Sequence, residues 1–201
     1  MERTSSSAGQ GDRIFGIFFI AISIAVALAS VLTEIAILNK WPIYYSVVIW
    51  IGSFVITFIF LLYNRRNLIW SSLRVRLKNS IKWPLHAKII NGICWAGPFS
   101  IIAVLPFLFP YLILAGIGFG NISTYLLLKK YRNINYNKHN SSDASQGQLI
   151  VGLISLIAIP IVFEVYTMVT AREDIVSLLS RYLISFAYAV GGIYDIMVKR
   201  K

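Results

Sequence analysis

Three ionisable residues stand inside long apolar runs of this chain: Glu34, Glu164 and Arg181. A charge deep in a hydrocarbon span costs about 2.5–3.5 kcal/mol on insertion scales, so such residues call for partners. Arg181 can neutralise one of the two carboxylates. With all three charged the group keeps a net charge of minus one, which a proton or a cation would cancel. The cluster therefore reads either as a structural clamp or as an ion or proton site. Pro160 lies one turn before Glu164 and deprives the carbonyl near Leu156 of its usual donor, so a helix break is expected there.

Around Arg181 the polar residues have a period. Ser177, Arg181, Ser185, Tyr188, Gly192 and Asp195 fall within about 80° of one another at 100° per residue, forming one stripe along a helix. Leu179, Leu183, Phe186, Val190 and Ile193 lie off it. A polar face in a transmembrane helix should meet protein or water, because hydrocarbon offers no hydrogen bonds. Asp195 also reads as an interfacial residue, with Lys199 one turn on. Further polar or small sets recur elsewhere: Ser46, Ser53, Thr57 and Asn64, and Gly116, Gly120, Asn121 and Thr124. The Gly116–Gly120 pair is a G-x-x-x-G spacing that suits close helix packing.

Metal and cofactor chemistry has no visible basis. Cys94 is the single cysteine, and His86 and His139 lack ligand spacing, so neither a metal nor a cofactor is expected. No H-x-x-x-H, acidic metal-binding repeat or G-x-S-x-G occurs, and "GIGFGN" at 116–121 falls within an apolar span. The chain is expected not to be an enzyme.

The elements that must carry these residues follow from composition. Apolar residues make up 57% of the 201 and charged ones 13%, with a mean hydropathy of +0.71, which is the make-up of a membrane protein. A span of the ~30 Å hydrocarbon core takes about 20 helical residues. Runs of that kind cover 14–38, 43–63, 148–170 and 176–198. The run 89–128 is twice that length, and Pro106 and Pro110 at its middle predict two helices, 89–105 and 107–128. The expected fold is a single all-α polytopic membrane domain over 1–201, with six transmembrane helices in three hairpins. "AVALAS" at 25–30, within the first run, resembles a leader cleavage site, but the apolar run continues past it, so a span is expected.

Charge sets the orientation. The formal charge is +11, but its Lys and Arg sit between apolar spans rather than on one patch, so nucleic acid is not an expected partner. With the N-terminus inside, sixteen of the nineteen Lys and Arg gather on the cytoplasmic side. They lie in the N-terminal segment, in 64–88, in 129–147 and at the C-terminus. Lys40 and Arg172 fall outside, and Arg181 lies within a span. Both termini are thus expected in the cytoplasm. Within 64–88, Ile69, Leu73, Leu77 and Ile81 recur every four residues beside Arg74, Lys78 and Lys82. That pattern suits a basic interfacial helix against anionic lipid head groups, or a plain connector. The polar stretch 129–147 reads as a flexible cytoplasmic loop.

The functional expectation is an integral protein of the plasma membrane without catalytic chemistry, an accessory or assembly subunit partnered by the lipid bilayer and another membrane protein. The alternative is a small proton- or cation-linked carrier or channel using Glu34, Glu164 and Arg181. No internal repeat supports the alternative.

Overall fold

The computed structural model describes residues 6–42, 44–63, 70, 74, 83–131, 145–168 and 173–197, with the side chains of all but 6–13, 62 and 173. Six helices are long and apolar enough to cross a membrane. They are α1 (Ser6–Leu38), α2 (Tyr44–Leu62), α3 (Leu85–Val104), α4 (Phe109–Lys130), α5 (Gln146–Met168) and α6 (Glu173–Met197).

Local chemistry explains the ends. After α1, Lys40 takes a left-handed conformation at φ 55°, Trp41 N–H donates to the Ala36 carbonyl and Lys40 N–H to that of Ile37. This is a Schellman closure, and Pro42 follows it, where the helix could not continue. Helix α3 stops one residue short of Leu105, which precedes Pro106 and sits at φ −126°, ψ 72°. A 3-10 turn, Pro106–Leu108, then leads into α4, whose first turn holds Pro110. The long apolar run is therefore two helices.

Elsewhere the helices outrun the apolar stretches. Helix α3 begins at Leu85 within the 64–88 segment, and α4 carries Lys129 and Lys130 in its last turn. Ser145 and Gly147, expected in the loop 129–147, are buried at the start of α5. Hydropathy marks the hydrocarbon, whereas a helix ends where its backbone finds other partners. Of the basic segment before α3, Trp70 and Arg74 are helical and exposed; the remainder up to Lys82, and the loop 132–144, lie outside the described residues. Pro160 does not break α5, which runs unbroken from Gln146 to Met168. Its ring is on an exposed face, where it removes one backbone bond without intruding on a neighbour.

The helices pack in the order α2, α1, α6, α5, α4, α3, and α4 also touches α6. About half of the spanning windows of α1 and α6 is buried, against 11% for α2 and 6% for α3. Glycine sets the closest approaches. A methyl group built on Gly192 would lie 2.7 Å from the Gly16 carbonyl oxygen and 3.0 Å from the Ile20 nitrogen, so α1 and α6 meet backbone to backbone. Phe99 and Trp95 of α3 lie over Gly116 and Gly120 of α4. Without a hydrophobic drive between helices in lipid, such contact is what holds them.

The Gly192→Ala substitution is expected to destabilise the protein by about 1–3 kcal/mol, since backbone on both sides cannot move aside. Gly52→Ala, which meets nothing within 4 Å, should be neutral or slightly stabilising. Thermal unfolding in detergent compares the two.

Candidate functional site

Helix α6 carries the stripe, and the packing order explains where it points. Helices α1, α4 and α5 all lie against α6, and Ser180, Arg181, Ser185, Tyr188, Gly192 and Asp195 are buried, with Ser177 half-buried. Tyr182, Phe186, Ile193 and Met197 are exposed on the other side. The polar face looks into the bundle.

At the end where α1 stops and α6 starts, Arg181 Nη2 donates to Glu34 Oε1 at 2.6 Å, and Arg181 Nε donates to the Ser177 carbonyl at 3.2 Å. The side chains are 7% and 26% exposed, so the pair is anchored on the arginine side and touches the surface on the glutamate side. Glu164 does not join them. It is exposed, about 200° around α5 from buried Val162 at ~100° per residue, while Val151, Ser155, Ala158 and Val162 form the inward face. The expected cluster of three is a pair.

One turn further along α6, Ser185 Oγ donates to the Ser23 carbonyl at 2.8 Å. Its single proton being committed, the Ser23 hydroxyl donates in the 3.1 Å contact between the two oxygens. Next, Asn121 Nδ2 donates to Tyr188 Oη at 3.4 Å and to the Ile117 carbonyl at 2.8 Å. Phe19 stands edge-on to Tyr188 at 5.6 Å. Interhelical hydrogen bonds in membranes average only about 0.6 kcal/mol, so these fix register more than they add stability.

Asp195 closes the far end. Its carboxylate accepts from the Ser145 hydroxyl and, at 2.8 Å, from Gly147 N–H, both at the N-terminus of α5. Ser145 also caps its own helix, accepting from Gln148 N–H at 3.3 Å. Asp195, two residues from the end of α6, is 5% exposed and sits where a helix N-terminus presents unpaired donors and positive potential. The Ser-x-x-Gln spacing of Ser145 and Gln148 was the sequence signal for this cap. Nothing in the sequence marked the neighbour of Glu34, Thr33, whose buried hydroxyl has no hydrogen-bond partner among the described residues.

The other polar sets are also helix seams. Asn91 Oδ1 of α3 accepts from Ser123 and Thr124 of α4 at 2.8 and 2.9 Å, and Trp95 Nε1 donates to Thr124 at 3.0 Å. Ser53 and Thr57 of α2 are buried, and α1 is the helix on which α2 packs. Among the described residues no three His, Cys, Asp or Glu side chains converge. Comparison with known proteins finds no matching family model, curated protein or solved structure.

Removing Arg181 with Gln should cost about 2 kcal/mol, below the 3–5 kcal/mol of a fully buried pair because Glu34 reaches the surface. The Glu34→Gln, Arg181→Gln double variant should recover part of it. Glu164→Gln should stay within about 0.5 kcal/mol of the parent. Equal losses from the Glu34 and Glu164 changes would contradict the pairing.

Proposed function

We propose that this chain is an integral protein of the plasma membrane, crossing it six times in three hairpins with both termini cytoplasmic. It works without catalytic chemistry or cofactor, as an accessory or assembly subunit that presents the outer face of α3 to another membrane protein. The orientation is supported by the basic residues that flank the start of α1, the α2–α3 and α4–α5 connections and the end of α6. Those in 64–88 would meet anionic head groups.

One observation carries the subunit reading. Gly92, Ala96, Ser100 and Ala103 are all exposed on α3 and fall within about 80° of one another at 100° per residue. They form a ladder of small residues at steps of four, four and three, turned away from the Trp95 and Asn91 face that packs on α4. Lipid needs no such ladder, whereas small-x-x-x-small spacing lets a second helix approach closely. Space at Gly92 is open to 4 Å. A carrier is less well supported, because Arg181 is paired with Glu34, Ser185 and Asp195 are bonded to neighbouring helices, and Glu164 lies off the inward face.

Replacing Gly92 and Ala96 together with Leu should leave unfolding unchanged, since both face outward, but abolish co-purification with the membrane partner in mild detergent. A parent protein extracted alone from its native membrane would count against the reading. In a Cys94→Ala background, Ser185→Cys should be protected from an impermeant thiol reagent on both sides of vesicles. Labelling from either side would instead favour a water path and hence transport.

A further inference from the structure

The stripe leaves one interior feature unused. Beside the Arg181–Glu34 pair lies a cleft of about 800 Å³, lined by Thr33 of α1 and Trp41 just after it, Ser46 and Trp50 of α2, Ile113 of α4 and Arg181 of α6. Helix α2 packs on α1, and α4 on α6, but α2 and α4 share no comparable seam. The cleft thus lies between α2 and α4, and on the six-span reading the gap between these helices borders the bilayer.

Its polar equipment is incomplete without an occupant. Arg181 has five N–H donors, of which Nε–H goes to the Ser177 carbonyl and one Nη2 proton to Glu34. Thr33 is 7% exposed, and its hydroxyl has no hydrogen-bond partner among the described residues. An unmade bond at a buried hydroxyl costs about 1–3 kcal/mol, so a bare Thr there is a poor choice for packing alone. The remaining donors call for a group rich in acceptor oxygens, and a guanidinium suits the fork of a carboxylate or phosphate. The other walls are tryptophan and aliphatic. Arg181 lies eight residues into α6, about 12 Å from its start at 1.5 Å per residue, within reach of a lipid head drawn slightly inward.

We propose that this cleft binds a membrane amphiphile by its oxyanion head, a phosphate or carboxylate held by Arg181 and Thr33, with the hydrocarbon chain leaving between α2 and α4. Glu34 holds the arginine in place, and its own charge opposes that of the incoming head. The site is separate from the α3 ladder, so either proposal can fail alone.

The test is thermal unfolding of the protein purified in dodecyl maltoside, titrated with dodecyl phosphate, laurate, dodecanol or inorganic phosphate. A ligand bound by the folded state raises Tm in proportion to its saturation. Dodecyl phosphate or laurate should raise Tm by several degrees, and the stronger of the two names the head, phospholipid or fatty acid. Thr33→Val should weaken binding about tenfold by removing a bond to a charged group. Glu34→Gln should tighten it several-fold by removing a like charge. No shift with either amphiphile would overturn the proposal. So would an equal shift with dodecanol, which marks an apolar slot, or with inorganic phosphate, which marks a site for a soluble anion. A binding curve that neither substitution moves would equally overturn it, and the opposite signs expected for the two keep a loss of folding from imitating the result.

Discussion

Hydrocarbon cannot satisfy a polar group, and the architecture of this protein turns on that constraint as it bears on α6. A helix carrying an arginine, an aspartate, serines and a tyrosine along one stripe must bury that stripe against other helices. Three helices answer it: α1 supplies Glu34 and Ser23, α4 supplies Asn121, and α5 supplies its own N-terminus. The result places α6 at the centre and leaves its opposite face, with Phe186 and Ile193, exposed.

Charge is handled differently at the two ends of the stripe. Arg181 meets a carboxylate that keeps some contact with the surface, which lowers the cost of taking two charges out of water. Asp195 instead meets backbone and hydroxyl donors at the start of α5, where the helix dipole favours a negative charge. The first arrangement ties α6 to α1 and the second ties it to α5. Between them the neutral pairs at Ser185 and Tyr188 set register. The glycines at 16 and 192 let the α1 and α6 backbones touch, so these short side chains can reach each other.

The helices that follow one another in sequence are not always neighbours. Helices α2 and α3 stand at opposite edges of the row, each packed on one partner, and the chain between Tyr63 and Trp83 joins the two edges. Peripheral placement gives each a free face. On α3 that face is stepped with small residues, and beside α2 it borders the cleft at Arg181. The two proposals draw on these two unfilled places.

Much of this was written in the sequence. Hydropathy located six spans, because a run of apolar residues has few other uses at that length, and the prolines at 106 and 110 forced the long run to divide. The stripe of α6 was legible too, since residue spacing alone fixes angle around a helix. Partner identity was not. Counting residues gives depth, at about 1.5 Å each, and depth placed Glu34, Glu164 and Arg181 together. Which way a neighbouring helix turns about its own axis depends on how its whole surface packs. Helix α5 is turned by Val151, Ser155, Ala158 and Val162, which leaves Glu164 outside and Pro160 harmless. The partner of Asp195 was hidden for a related reason: of its two donors, Gly147 N–H is a backbone group left unpaired only once α5 starts at Gln146, and the Ser145 hydroxyl is brought to it by the same helix start. The sequence determined the helices and their faces; the tertiary structure decided which faces meet, because rotation about each axis is settled by the summed contacts of many residues and not by the few that carry charge.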